Sequence, residues 1–306
     1  MIIEQMASRL ALSIPYLLKL SSSASHRYKQ YEIPKRTRGM RTIYHPAREL
    51  KLVQRWLLRN VLISLPVHPA ATAYQQNSTI KRNAEVHAAS NYLLRVDFQD
   101  FFPSLRGADV LNVLIANRDR LANQSVSDLD IDFIKRIVCR FDALTIGAPT
   151  SPLISNAIMF DFDATWRRNA EAIGVTYTRY ADDLYFSTTE PNVLSPLLKK
   201  LREHLKGISQ PKLQINEAKT GFSSRKWRRL ATGLVLTHDR KVSLGRHKKR
   251  MIKAQVFRLT RHELKAVQLA SLRGWISYAS SVEPDFVARL QRKYALDFRL
   301  DETWKI

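Results

Sequence analysis

Two adjacent aspartates, Asp182 and Asp183, interrupt a run of β-branched and aromatic residues near the middle of this 306-residue chain. Residues 175–187 have the sequence Val-Thr-Tyr-Thr-Arg-Tyr-Ala-Asp-Asp-Leu-Tyr-Phe-Ser, which predicts two short strands joined by a tight turn. Neighbouring strand residues face opposite ways, so an aspartate pair there is a poor core element. Holding a divalent metal ion on a rigid hairpin explains the pair, and a solvated acidic turn is the simpler alternative.

A third carboxylate follows the apolar segment 92–97, which predicts a strand that ends at Asp97. By itself, an aspartate in such a position is more often a helix cap or a turn residue. Phosphoryl transfer with two metal ions needs acids that bridge ions roughly 3.5–4 Å apart, and Asp97 would complete such a set. Asp97 and Asp182 are 85 residues apart, which leaves room for helices between two strands of one sheet. Magnesium suits this site because it is hard and is usually bound by a few carboxylates plus substrate phosphates.

The chain is strongly basic, with 50 Lys and Arg against 27 Asp and Glu, a net charge of +23 and an isoelectric point near 10.3. Residues 219–265 contain fifteen basic residues and only two acids, Asp239 and Glu263. Within that segment Ile252, Val256 and Leu259 recur at helical spacing, which predicts a basic amphipathic helix. A solvated helix face is the ordinary explanation of such a run, but the near absence of acids favours a nucleic-acid partner.

Several classes of protein are disfavoured by the rest of the composition. Cys139 is the only cysteine, so neither an internal disulfide nor a cysteine-based zinc site is expected. The eight histidines lack His-Glu-x-x-His spacing. The N-terminal residues do not have the pattern of a secretory signal, and no apolar run reaches the length of a membrane span. We therefore expect a cytoplasmic protein without a membrane partner.

Local patterns outline the remaining elements. Residues 1–20 predict a short amphipathic helix with Pro15 near its start or at a kink, and 21–25 predict a polar loop or hinge. Residues 31–46 predict two cation-rich strands around a turn at Gly39. Helical spacing is present over 50–64, 106–142 and 196–206.

The Tyr-Ala-Asp-Asp hairpin, together with the Asp97 strand and the aromatic pair that follows it, resembles the signature motifs of reverse transcriptases. The resemblance covers roughly residues 28–300 and implies an α/β right-hand polymerase fold with an antiparallel palm sheet and a helical basic thumb. It implies fingers over 1–95, a palm over 96–236 with an inserted fingers portion at about 106–145, and a thumb over 237–306.

By the same resemblance, Asp97, Asp182 and Asp183 are the catalytic residues and hold two Mg²⁺ ions, for which Mn²⁺ is a possible substitute. The resemblance also implies that the aromatic ring of Phe102 lies under the sugar of the incoming nucleotide and excludes a ribose 2′-hydroxyl. The residues implied to bind the nucleotide are Arg41, Lys35, Asp100, Phe101, Phe102, Gly147 and Lys219. One departure is Ile146, where the family usually has glutamine, so the polar contact of that glutamine is not expected here.

Two short elements resemble retron reverse transcriptases in particular. Residues 83–87 fit their Asn-Ala-x-x-His element, and 231–233 fit their Val-Thr-Gly element with Ala231 in place of valine. With the basic segment, this resemblance implies contacts to RNA. The residues implied are Asn83, His87, Arg246, Lys248, Lys249, Arg250 and Lys253.

A retron enzyme would use dNTPs to copy a structured non-coding RNA from an internal 2′-hydroxyl. Its product would be a branched, RNA-linked single-stranded DNA, termed msDNA, and it would act in anti-phage defence with a separate effector protein.

Two alternative functions remain open from the sequence. One is a bacterial reverse transcriptase of the group II intron or diversity-generating type. The other is a catalytically inactive RNA-binding scaffold, against which the complete aspartate set argues.

Overall fold

The computed structural model describes residues 1–34, 39–121 and 126–298, in which nine strands form three antiparallel sheets. The strands are β1 (Tyr28–Pro34), β2 (Met40–Pro46), β3 (Tyr92–Asp97), β4 (Thr176–Tyr180), β5 (Asp183–Thr188), β6 (Gly221–Ser224), β7 (Arg229–Ala231), β8 (Leu234–Leu236) and β9 (Val242–Ser243). The hairpin predicted around Gly39 is β1–β2, and the one predicted at 175–187 is β4–β5. The central sheet has the order β4–β5–β3–β6, and β7–β8–β9 form a smaller one.

The described residues also form thirteen α-helices. They are α1 (Ile2–Leu10), α2 (Ile14–Ser22), α3 (Arg48–Asn60), α4 (Ile80–Val86), α5 (Phe101–Ser104), α6 (Gly107–Ala116), α7 (Asp128–Val138), α8 (Ser151–Ile158), α9 (Phe160–Glu171), α10 (Leu194–Gly207), α11 (Arg246–Thr260), α12 (Ala266–Val282) and α13 (Pro284–Tyr294). None of them combines the length and apolar character that crossing a membrane would require.

The N-terminal segment differs from the single helix that its spacing predicts. It forms α1 and α2, because the Ser13 hydroxyl caps the second helix by accepting from the amide of Tyr16. Pro15 occupies the first turn of α2, where its missing N–H costs nothing. The serines predicted to form a loop instead continue α2 as far as Ser22.

The central sheet separates two apolar cores. Alternate residues of β3 point to opposite faces, so Leu94 and Val96 pack into the larger core with α3, α7, α9 and α10. On the other face, Leu93 and Tyr185 join the smaller core, which includes β7–β9 and the last three helices. The helical stripe predicted in the basic segment lies in this smaller core, with Ile252 and Val256 fully buried in α11. One sheet therefore carries a strongly apolar support on one face and a basic helical unit on the other.

Candidate functional site

The three predicted acidic residues lie at one end of the central sheet. Asp97 ends β3 directly opposite Asp183, which begins β5. Asp182 lies in the two-residue turn between β4 and β5, where Ala181 has a left-handed φ of 58°. The amide of Phe98 donates to the Asp182 carbonyl oxygen at 3.0 Å and so joins this turn to the end of β3. The fold thereby brings together carboxylates that are distant in the sequence.

Two cations neutralise part of this acidic group. The Lys219 amine donates to both carboxylate oxygens of Asp97, at 2.8 and 3.1 Å. Arg95 lies on the same face of β3 and donates from Nε and Nη2 to Oδ1 of Asp183, at 2.9 and 2.8 Å. Asp97 is almost completely buried, so the ion pair with Lys219 offsets the cost of removing its charge from water.

The protonation equilibria of the aspartate pair are shifted by their surroundings. Burial raises the pKa of Asp183 to about 6, with a further contribution from the charge of Asp182, although Arg95 opposes the shift. Burial also raises the pKa of Asp182, and the negative charge of Asp97 adds to that effect. The local cations therefore neutralise only part of the negative charge at this end of the sheet.

Among the residues that the structure describes, no three acidic, histidine or cysteine side chains converge closely enough to hold a metal ion as they stand. The carboxylates of Asp97 and Asp183 point instead to Lys219 and Arg95. The donor set nevertheless fits a hard divalent cation. Three carboxylates share one end of a sheet, and two of them have raised pKa values that a nearby positive charge would lower.

The turn that carries the aspartates rests on a buried ion pair. Arg179 of β4 is fully buried and binds both carboxylate oxygens of Asp163 in α9, at distances from 2.6 to 3.1 Å. Its Nη1 also donates to the Ala181 carbonyl oxygen at 3.1 Å and to the side-chain oxygen of Asn156. Because these contacts join the turn to Asn156 of α8 and Asp163 of α9, its position depends on those two helices as well as on its own strands.

The sequence and the fold both have counterparts among known proteins. Residues 33–252, more than half of the chain, match the family model described as reverse transcriptase (RNA-dependent DNA polymerase). The chain is 36% identical over 287 residues to the Ec83 retron reverse transcriptase of Escherichia coli, covering 91% of this chain and 89% of that relative. The chain belongs to the retron reverse transcriptases. Its reaction is accordingly RNA-directed DNA synthesis.

Further retron reverse transcriptases agree with this membership. The Ec73 enzyme of E. coli is 36% identical over 274 residues, with 87% of this chain and 86% of the relative covered. The Ec86 enzyme is 32% identical over 305 residues, with 95% and 90% covered. Among solved structures, a Candida albicans telomerase complexed with a fragment of telomeric RNA has a TM-score of 0.50 at 12% identity, over 87% of this chain and 55% of that one. That likeness shows the fold alone, which is a right-hand polymerase.

Several of the residues predicted to bind the nucleotide have exposed or half-buried side chains. Arg41 is exposed on β2, and its positive charge is among those that lower the pKa of Asp182. Phe102 is half-buried, with its ring centroid 6.4 Å from that of Tyr74. Asp100 is exposed in the left-handed conformation just before α5. Lys35 lies outside the described residues.

Two further residues predicted to bind the nucleotide, Phe101 and Gly147, are in close contact with neighbouring groups of the protein. Phe101 is 4% exposed and stacks on Phe98 in the larger core, so the burial of its ring contradicts the prediction that it contacts a nucleotide. At Gly147, whose φ is 114°, a Cβ would lie only 2.6 Å from the carbonyl oxygen of Tyr44. The glycine is therefore required where this loop approaches β2, next to a hydrogen bond from the Tyr44 amide to Ile146.

The three residues that define the Asn-Ala-x-x-His element are buried. Asn83 and His87 have no exposed surface, which contradicts the prediction that their side chains contact RNA. His87 instead bonds through its two ring nitrogens to Ser187 of β5 at 2.7 Å and to Thr178 of β4 at 2.8 Å. The side-chain oxygen of Asn83 accepts from Thr178 at 2.7 Å. The element therefore attaches α4 to both strands of the aspartate hairpin.

The predicted RNA-binding residues of α11 fall into two groups. Arg246, Arg250 and Lys253 are exposed, and none of them makes an ion pair within the described residues. Lys249 is paired with Glu283, and Lys248 donates to the Gly233 carbonyl oxygen at 3.0 Å. Lys248 and Lys249 therefore hold the helix against its neighbours. The sequence pattern could not show this, because their partners Gly233 and Glu283 are distant in the chain.

Three residues near the aspartates were missed by the sequence analysis. Arg95 and Tyr185 both bond to Asp183. Tyr74 lies beside Phe102, and the pKa of its hydroxyl is raised by burial and further by the charge of Asp182. The alternation of β3 could have indicated Arg95, because residues 95 and 97 share one face of a strand. Nothing local marks Tyr74 or Tyr185, whose neighbours are brought to them by the fold.

Proposed function

We propose that this reverse transcriptase copies a structured non-coding RNA, starting from an internal 2′-hydroxyl, to give branched RNA-linked single-stranded DNA. The observation that carries the chemistry is the pairing of Asp97 with Asp183 across β3 and β5, with Asp182 in the adjoining turn. The choice of RNA and primer is supported by the relatives, which are named as retron enzymes. By the same analogy the system serves anti-phage defence, with a separate effector protein, in the cytoplasm.

We propose that Asp97, Asp182 and Asp183 hold two Mg²⁺ ions, which when bound activate the primer hydroxyl and stabilise the departing pyrophosphate. Lys219 would leave Asp97 and bind substrate phosphates, where its ammonium group can donate a proton to the leaving group. The exposed guanidinium of Arg41 offers paired donors to the triphosphate. Phe102 would lie under the deoxyribose. The placement of the three aspartates and Lys219 at one end of the central sheet supports these roles.

The proposed subdomains are fingers over 1–95, a palm over 96–236 that contains an inserted fingers portion at about 106–145, and a thumb over 237–306. The division of the apolar interior supports them, because α11, α12 and α13 belong to the smaller core and most palm helices to the larger. The β7–β9 sheet also joins the smaller core, so it packs against the helices of the proposed thumb and forms its base.

Substitution of Asp182 by asparagine tests the proposed chemistry. The change keeps the shape of the side chain but removes its charge, and we expect RNA-templated primer extension to fall by several orders of magnitude. RNA affinity should be retained, because the exposed cations of α11 are unchanged. Asp161→Asn, at an exposed carboxylate of α9, is the matched control and should extend the primer normally. Near wild-type extension by Asp182→Asn would exclude the proposed metal-binding role.

The nucleic acid that copurifies with the protein tests the retron part of the proposal. Sequencing should recover one structured RNA joined to single-stranded DNA, and a debranching enzyme should separate the two. Recovery of host RNAs alone, with no attached DNA, would instead favour a bacterial reverse transcriptase that uses an ordinary 3′-hydroxyl primer.

A further inference from the structure

Asp183 is held at both of its carboxylate oxygens. Arg95 donates to Oδ1 from two nitrogens, and the Tyr185 hydroxyl donates to Oδ2 at 3.2 Å. No side-chain hydrogen bond to the Asp182 carboxylate is found within the described residues. Of the two adjacent aspartates, Asp183 is therefore the one whose orientation is fixed by surrounding groups.

The Tyr185 hydroxyl connects this aspartate to another sheet. It accepts a hydrogen bond from the backbone amide of Thr232 at 3.0 Å while its own proton is directed to Asp183. Tyr185 is 1% exposed, so its two hydrogen bonds are shielded from competition by water. The result is a continuous chain of hydrogen bonds from a backbone amide, through one hydroxyl, to a catalytic carboxylate.

Thr232 occupies an unfavourable backbone conformation. It forms the two-residue turn between β7 and β8 together with Gly233, and their φ angles are 48° and 78°. A left-handed φ is accessible to glycine but costly for β-branched threonine. In a turn of this kind the amide of the first turn residue has no partner in the ladder, and Tyr185 supplies one. A strained residue whose amide bonds to the hydroxyl that contacts Asp183 indicates that the turn has a functional role.

The same turn is also attached to α4. The Thr232 hydroxyl donates to the carbonyl oxygen of Ile80, the first residue of that helix, at 2.7 Å. Further along α4, Asn83 and His87 bond to Thr178 and Ser187 on the two strands of the aspartate hairpin. The elements at 83–87 and 231–233 thus form one connected support around the hairpin.

We propose that Tyr185 is a positioning residue, which fixes the Asp183 carboxylate against the Thr232–Gly233 turn and so couples the catalytic hairpin to the base of the thumb. The inference rests on the proposed role of Asp183 in the reaction. It gives the buried residues of the two retron-like elements a structural function, because their hydrogen bonds fix the geometry of the hairpin.

Tyr185→Phe tests this role, since it removes one hydroxyl and keeps the buried ring. We expect kcat for primer extension to fall about tenfold or more, as is typical when a group that orients a metal ligand is removed. The KM for dNTPs and the affinity for RNA should stay within about twofold of the wild-type values. Tyr92→Phe is the matched control. It removes a hydroxyl from the same sheet, and that hydroxyl makes no hydrogen bond within the described residues.

Two measurements on the protein without nucleic acid separate this inference from the proposed polymerase function. Hydrogen exchange of the Thr232 amide should be slow in the wild type and much faster in Tyr185→Phe. The affinity for Mn²⁺, followed by electron paramagnetic resonance, should fall about tenfold. Rapid exchange at Thr232 in the wild type would overturn the linkage, as would unchanged kcat and Mn²⁺ affinity in the variant. Normal primer extension by an Asp183→Asn variant would contradict the proposed role of Asp183 but leave the exchange result valid.

Discussion

At the scale of single residues, the acidic end of the central sheet has to keep several carboxylates charged away from bulk water. Burial raises the pKa of both Asp182 and Asp183, whereas Arg95 acts in the opposite direction on Asp183 and Lys219 does so on Asp182. Because Lys219 is half exposed while Asp97 is buried, the lysine is the partner that can move. If metal ions replace Lys219 beside Asp97 when substrate binds, the negative charge of the buried Asp97 carboxylate stays neutralised throughout the catalytic cycle.

The half-buried ring of Phe102 gives a residue-scale prediction about sugar selection. Phe102→Val should raise ribonucleotide incorporation while largely sparing deoxynucleotide incorporation, since only the excluded volume under the sugar changes. The ratio of dNTP to rNTP insertion efficiency measures this. Phe101→Val is the informative comparison, because that ring is buried and its truncation should cost a few kcal/mol of stability without altering the ratio. An unchanged ratio in folded Phe102→Val would exclude the steric role.

At the scale of elements, the β4–β5 hairpin and helix α11 each combine a packing role with an exposed one. The hairpin presents its aspartates only because Arg179 and Asp163 fix the turn from the side opposite the site. Helix α11 presents cations only because Ile252 and Val256 anchor its other face. In both elements the buried contacts determine where the exposed charges point.

The buried pair beneath the hairpin predicts a large effect on stability. Arg179→Met should destabilise the protein by about 3–5 kcal/mol, because it leaves the fully buried Asp163 carboxylate without its cation. Adding Asp163→Leu should recover much of that loss, since no charge is then buried unpaired. Chemical denaturation of the wild type, both single variants and the double variant measures the coupling. Equal stability of Arg179→Met and the double variant would contradict this account.

The exposed cations of α11 predict how RNA binding depends on salt. Replacing Arg246, Arg250 and Lys253 together by glutamine should reduce the slope of log K against log[salt] by about 0.7–0.9 for each phosphate that is no longer neutralised. Lys249→Gln is the contrasting variant. Because that amine is paired with Glu283, its loss should lower the free energy of unfolding and leave the slope nearly unchanged. A slope unaffected by the triple substitution would mean that these side chains do not contact RNA.

At the scale of the whole molecule, one sheet joins two cores and carries the acidic site between a large apolar support and a basic helical unit. The net charge of +23 belongs to the entire chain, whereas the site itself is locally acidic. A polyanionic template is therefore attracted over long distances by the overall charge. The local acids are then available for metal ions that the same polyanion brings with it.

The buried His87 makes the free energy of unfolding depend on pH. Burial lowers its pKa to about 3, whereas an unfolded histidine titrates near 6.5. Between those values the unfolded chain binds a proton that the folded protein does not, so the free energy of unfolding falls as the pH is lowered. The contribution of this residue is about 1.4 kcal/mol per pH unit below 6. His87→Gln should flatten the pH dependence of unfolding by that slope, and parallel curves for the two proteins would contradict it.

Sequence by itself determined the strand that ends at Asp97, the aspartate hairpin, the basic amphipathic helix and membership of the reverse transcriptases. These depend on consecutive residues, alternation and helical spacing, which a single chain records directly. Only the tertiary structure decided that Phe101 is core, that Asn83 and His87 are internal, and which cations of α11 remain exposed. Tyr185 and Thr232 are 47 residues apart, and His87 and Ser187 are 100 apart. Contacts over such distances leave no local pattern, because they exist only once the sheet has assembled.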